Sequence, residues 1–264
     1  MKTAVRFDKQ LQFIDPRFYI PDNVFKAADG EFGDAFNELA DCYRYGYGTE
    51  VDGKIAISLY EKAAHNDIEA LNNLAQCYNY GIGTERNLQK AFNLYKIAAE
   101  LGHAQSQFDL GICYRQGEGT EQNFEKAIEC YLKAIEQGHG AAMCNLGILY
   151  DYGVGVEQDL DKARMYYTMS AETGEKQGQF CLGSMYYQGR GIEQNYEEAV
   201  KWFKLASEQG EPDSMFHLAI CYDKGYGVEK DSNLAKEYLF KAAERGWQPA
   251  IDTINEIPWK SKPF

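Results

Sequence analysis

The chain is poor in several things at once. Positive charge is in deficit: 27 Lys and Arg face 40 Asp and Glu across 264 residues, for a formal net charge of −13. The basic stripe of a nucleic-acid binder is therefore missing, and so is a basic amphipathic helix suited to an anionic membrane. No run comes near the roughly 18 apolar residues of a membrane span. The opening MKTAVRFDKQLQFIDPRFYI holds neither an apolar core nor a small-residue cleavage site, so it does not read as a secretory signal. With seven cysteines, an odd number, the thiols are read as reduced and the expected location is the cytoplasm. Runs of alternating or β-branched residues that would mark strands are absent as well.

What the chain has in quantity is glycine and tyrosine, 25 and 20 residues. The glycines fall in pairs, Gly46/Gly48, Gly81/Gly83, Gly117/Gly119, Gly153/Gly155, Gly189/Gly191 and Gly225/Gly227, spaced 35 residues apart once and 36 thereafter. A phosphate-cradling loop should occur once, after a strand. Six copies with no strand before them form a turn inside a repeating architecture. The units run 33–67, 68–103, 104–139, 140–175, 176–211 and 212–247.

Before each pair, Leu39/Ala40/Tyr43, Leu74/Ala75/Tyr78, Leu110/Gly111/Tyr114 and their counterparts recur at steps of one, three and four, which marks one helix face. After it, Ala56, Ala91, Ala127, Ala163, Ala199 and Ala235 are each followed four residues later by Tyr60, Tyr95, Tyr131, Tyr167, Phe203 or Leu239. Large rings opposite small residues let two helices interdigitate. The tyrosine hydroxyls need partners or water, which places them at the core edge. Gly102, Gly138, Gly174, Gly210 and Gly246 stand where a left-handed residue would end each second helix. A cysteine slot (Cys42, Cys77, Cys113, Cys221) that also accepts Leu149 and Met185 reads as a small hydrophobic position. Glu50, Glu85, Glu121, Glu157, Glu193 and Glu229 are expected in the first turn of the second helix or its lead-in, where the helix dipole favours a carboxylate.

Leu-Ala/Gly-x-x-Tyr-x-x-Gly-x-Gly, the Lys-Ala of Lys90-Ala91 and the Tyr-x-x-Ala-Ala of Tyr95 to Ala99 together resemble the Sel-1-like repeat family, a relative of the tetratricopeptide repeat. The resemblance covers residues 33–247. It implies an all-α fold, a right-handed α/α superhelix (solenoid) of six helical hairpins with terminal caps, because no hairpin can bury its own apolar face alone. Residues 1–32 are expected as an extended segment with a capping helix, and 248–264 as a C-terminal capping helix and tail.

In the related tetratricopeptide geometry, the first helix of each pair lines a concave groove. The resemblance accordingly places Phe108, Ile112, Ile148, Phe180, Phe216 and Ile220 there as apolar anchors, with Arg44, Arg115 and Tyr187 as polar ones. Asn37, Asn72 and Asn79 add amides. The groove is polar in its N-terminal half and more apolar in its C-terminal half, and such a row of aromatic and aliphatic side chains suits a partner. No lysine precedes Lys224 at the matching positions, which departs from the relatives that grip a partner's terminal carboxylate. His103 and His139 recur in adjacent units, too far apart for one zinc ion, and are read as loop residues. Cys181 and His217 are the nearest thing to a nucleophile and base, with no third orienting group. The expectation is therefore no catalytic residue, no metal and no cofactor. The function read from this is a non-catalytic scaffold that binds a partner protein or peptide in its groove, the acidic excess being suited to a basic one. Alternatives are a bacterial immunity protein neutralising a basic toxin, and a binder or hydrolase of cell-wall fragments or β-lactams.

Overall fold

A computed structural model describes residues 33–256, and these form thirteen α-helices and no strand. The expected N-terminal segment and cap at 1–32, and the tail from residue 257 onward, lie outside the described residues. The helices are α1 Gly33–Tyr45, α2 Gly53–Ala63, α3 Ile68–Tyr80, α4 Leu88–Glu100, α5 Ala104–Gln116, α6 Phe124–Glu136 and α7 Gly140–Tyr152. They continue as α8 Leu160–Glu172, α9 Lys176–Gln188, α10 Tyr196–Glu208, α11 Pro212–Lys224, α12 Ser232–Glu244 and α13 Gln248–Glu256. The chain divides into two compact units, 1–127 and 128–264, with the boundary inside α6. In the first, α1 pairs with α2 and α3 with α4, while α2 packs on α3 and α4 on α5. In the second, the hairpins α7/α8, α9/α10 and α11/α12 are joined by α8 on α9, α10 on α11 and α12 on α13.

The loop inside each hairpin repeats one wiring. The peptide N–H of Asp52, Asn87, Asn123, Asp159, Asn195 and Asp231 donates to the carbonyl of Tyr43, Tyr78, Tyr114, Tyr150, Tyr186 and Tyr222, at 2.7–3.0 Å. The side chain of the same Asp or Asn then accepts from the first turn of the second helix, as Asn87 does from the Lys90 N–H at 3.0 Å. One residue thus closes the loop and caps the helix behind it. All six Gly-x-Gly pairs lie at φ between 66° and 76°. In the third loop, Gly117 ends α5 in the left-handed region at φ 74° and donates to the Cys113 carbonyl at 2.8 Å. Gly119 does something else: a Cβ placed there would stand 2.2 Å from the Leu88 carbonyl oxygen, at the start of the preceding second helix. The first glycine turns the chain and the second lets it press against the previous hairpin.

Gly102, Gly138, Gly174, Gly210 and Gly246 all have positive φ, as the spacing predicts. The second-helix rings are the largest fully buried side chains, with Tyr60 and Phe203 at 0% exposure and Tyr167 at 2%. Burying one such side chain contributes about 1.5–3 kcal/mol. The hydroxyls of Tyr60 and Tyr167 lie deeper than the core edge expected for them. Both find carboxylates on the facing first helix: Tyr60 donates to Asp41, and Tyr167 donates to Asp151 at 3.2 Å. A buried hydroxyl needs a partner, and here the chain supplies one in place of water. Cys77, Cys113, Leu149, Met185 and Cys221 are all buried in their common slot. The six glutamates after the glycine pairs sit in the lead-in, exposed, two residues before the Asp or Asn cap.

Candidate functional site

In the first unit, the first-helix face carries a chain of hydrogen bonds across three repeats. The Arg44 guanidinium donates to Gln76 Oε1 at 2.8 Å, and Gln76 Nε2 donates to Asn72 Oδ1 at 3.0 Å. Asn72 Nδ2 in turn donates to Ser106 Oγ at 2.9 Å and to Asp109 Oδ2 at 3.0 Å. Gln105 donates to the other Asp109 oxygen at 3.2 Å. Burial raises the Asp109 pKa, while the two amides work to lower it. Asn37 accepts from Asn73 at 3.1 Å. Asn37 and Asn72, expected on the groove, are 6% and 3% exposed. Their amides are already engaged inside the chain, because the helices approach closely enough to enclose them.

The same juxtaposition returns with different chemistry. Asn37 meets Asn73, Asn72 meets Asp109, and Phe180 meets His217 with ring centroids 5.5 Å apart. Each time, one first-helix position meets the following position in the next repeat. This row is a seam between repeats, and the sequence reading treated it as open groove. Cys144, at the seam position of the fourth repeat, is buried and packs against half-buried Cys181 of the fifth.

About two turns further along the first helices, one repeat position carries Arg44, Asn79 and Arg115 in the first unit and Asp151, Tyr187 and Asp223 in the second. Arg44 is half-buried, with its guanidinium 4.9 Å from the centre of the exposed Tyr45 ring. Its Nε and Nη1, Asn79 Oδ1 and Arg115 Nε are hidden from solvent and have no hydrogen-bond partner. Neither arginine takes part in an ion pair among the described residues. Asp151, by contrast, is paired with Arg190 at 3.0 Å. Tyr187 belongs to an aromatic cluster with Tyr196, Phe203, His217 and Tyr226, at centroid distances of 5.3–6.3 Å.

Phe108 and Ile112 are half-buried, and Ile148 packs against the cluster around Cys144, Tyr167 and Met185. Phe180 is wedged against Phe203 and His217. Phe216 and Ile220 line a cavity of about 510 Å³ in the second unit, formed by α11, α12 and Thr253 of α13. Ala219, Ala235 and Leu239 complete its apolar wall, and the Asp223–Lys224 pair, 2.8 Å apart, stands at its polar side.

Of the nucleophile and base, His217 Nδ1 contacts the Asp213 carbonyl oxygen at 2.9 Å, and Cys181 faces the Gln177 amide at 3.9 Å. His103 and His139 are more than loop residues. They cap α5 and α7, with Nδ1 accepting from the N–H of Ser106 at 3.3 Å and of Ala142 at 3.2 Å. Their shared place just before a first helix, where Asp67 and Glu175 also stand, was the signal for this. Among the described residues no group of three His, Cys, Asp or Glu is placed to hold a metal ion, and no helix is long and apolar enough to cross a membrane.

The family model of the Sel1 repeat matches residues 34–67, 68–103, 104–139, 140–174, 177–211 and 212–247. A Sel1 repeat protein from Oxalobacter formigenes superposes with a TM-score of 0.79 at 31% identity, over 86% of this chain and 91% of that one. A protective antigen of uropathogenic Escherichia coli strains, displaying an SLR fold, gives 0.72 at 31% identity over 87% of this chain and 49% of its own. An immunity protein from Pseudomonas aeruginosa shares the fold, with a TM-score of 0.58 at 23% identity over 88% of this chain and 89% of that one. No curated protein matches the chain.

Proposed function

The chain belongs to the Sel1 repeat family, and from that premise we propose that it is a non-catalytic binding protein whose first unit holds, along the row of Arg44, Asn79 and Arg115, an extended segment of a partner protein. The family is in general a protein-interaction fold. One observation carries the reading: three successive repeats present, at one position, polar atoms that are buried and unpaired, on Arg44, Asn79 and Arg115. An unpaired buried donor or acceptor costs about 1–3 kcal/mol. Three in register, alternating donor, acceptor and donor, match the alternation of carbonyl and N–H groups along a peptide. The partner's main chain supplies the missing partners. In the second unit, the cavity under Phe216 and Ile220 offers an apolar side chain a place of its own.

The test separates folding from binding. Arg115→Leu should leave the free chain as stable as before or more so, Arg44→Leu should cost it about 1 kcal/mol for the lost Gln76 bond, and each should weaken retention of the protein captured from native extract at least tenfold. Lower stability together with unchanged capture would assign both arginines to the fold and sink the proposal.

A second reading concerns the partner's charge. Asp and Asn side chains cap the second helices, so the six exposed glutamates at the lead-in position are not needed for that task. With a net charge of −13, they suit a basic partner, as an inhibitor or immunity protein would meet in a basic toxin. Association with such a partner should weaken steeply with salt, and indifference to salt would rule it out.

A further inference from the structure

We propose that Cys144 and Cys181 are a disulfide-forming modification site, at which a peroxide or disulfide oxidant joins α7 covalently to α9. The two residues occupy the seam between the fourth and fifth repeats. At the same seam in other repeats the paired side chains are in direct contact, at 3.1 Å for Asn37 and Asn73 and 3.0 Å for Asn72 and Asp109. Cys144 and Cys181 follow suit: Cys181 packs against the buried cluster that contains Cys144. Two cysteines packed in one cluster across a seam need little backbone motion to bond. Both are free thiols.

Their surroundings divide the work. Cys181 is half-buried and lies 3.9 Å from the Gln177 amide, a donor able to stabilise negative charge on sulfur or on a sulfenic oxygen. It is the sulfur that an oxidant in solvent reaches first. Cys144 is 2% exposed, and the neighbouring Cys181 thiol, with burial, raises its pKa, so it waits as a protonated thiol. With hydrogen peroxide, the Cys181 thiol is oxidised to a sulfenic acid and one water leaves. The Cys144 sulfur then attacks the sulfenic sulfur, and its proton departs with the sulfenic oxygen as a second water. Two thiols and one peroxide give one disulfide and two waters. With oxidised glutathione, exchange through a mixed disulfide on Cys181 gives the same bond and two reduced glutathiones. The bridge encloses the chain between the two residues, so it restricts the unfolded state and stabilises the second unit.

The test uses the whole chain, reduced and then treated with oxidised glutathione, quenched under denaturing conditions with an alkylating agent and mapped by mass spectrometry. The expected product has lost two hydrogens, carries a single cross-linked peptide pair containing residues 144 and 181, and melts at a higher temperature that falls back on reduction. Cys144→Ser should stop at a glutathione adduct on Cys181, and Cys181→Ser should form neither the adduct nor the bridge. Both thiols alkylated in folded, oxidant-treated wild type would overturn the proposal, as would a bridge to any of the other five cysteines.

Discussion

Replacing Gly119 with alanine separates the two tasks that the glycine pairs combine. Gly102 serves as the reference, since at φ 93° it also lies in the left-handed region but has open space where a Cβ would go. Gly102→Ala should therefore cost only the backbone penalty of about 1–2 kcal/mol. At Gly119, φ is 67° and the new Cβ would meet the Leu88 oxygen at 2.2 Å, the Leu88 carbonyl carbon at 2.6 Å and the Phe92 Cβ at 3.0 Å. Those atoms belong to the first turns of α4, which Asn87 caps and the Tyr78 carbonyl holds, so they cannot swing aside as a flexible side chain would. Forcing them apart adds about 1–3 kcal/mol of overpacking. Gly119→Ala should therefore lose about 2–5 kcal/mol in all. Urea titration followed by far-UV circular dichroism measures both variants, fitted with more than one transition because the chain has two compact units. If the two losses agree within about 0.5 kcal/mol, a typical neutral surface change, the close approach of loop and preceding helix plays no part in stability.

Further outcomes follow from the polar contacts. Asn72→Ala should cost about 2–3 kcal/mol, because Gln76 loses its acceptor and buried Asp109 loses one of its two amides; a thermal melt unchanged within error would contradict this. Asn87→Ala removes the cap of α4 and should cost about 1 kcal/mol, with Asn87→Asp restoring most of it. Asp213 is pushed up to about 6 from 3.8 by burial and by the neighbouring Glu211. The folded state thus holds this proton more tightly than the unfolded one, so its contribution is complete below about pH 4 and is lost as pH rises to about 6. The displacement corresponds to at most ~3 kcal/mol, which solvent screening of this half-exposed carboxyl cuts to about 1. Asp213→Asn should accordingly gain stability relative to wild type between pH 4.5 and 7.5, and melts that run parallel at the two pH values would refute the assignment.

The hairpins were legible because their signals are local. Gly117 and Gly119, the Leu-x-x-x-Tyr step and the alanine facing Tyr131 each depend on residues within one turn or one loop. The seam was hidden because it depends on the register between neighbouring repeats, which no period within a helix reveals. Asn72 and Asp109 stand 37 residues apart, one more than the repeat length, so alignment on the repeat places them in different rows. A trace of it was there: the two rows change character together, amide with amide at 37 and 73, thiol with thiol at 144 and 181, ring with imidazole at 180 and 217. Tyr60 and Tyr167 were misplaced at the core edge for a similar reason. Their partners, Asp41 and Asp151, sit on the facing helix at two different positions, so neither row announces an acceptor.

The offset seam also means that the hairpins, alike in outline, are not interchangeable parts. Excising residues 68–103 would bring Asn37 against Asp109, an amide against a carboxylate, which is the pairing that Asn72 already makes. Excising 176–211 would instead set the Cys144 sulfur against the His217 imidazole and strip that ring of Phe180 and Phe203. Shortening the chain by recombination is thus tolerable near one end and damaging near the other, and its history of duplication is constrained by which neighbours each hairpin can accept.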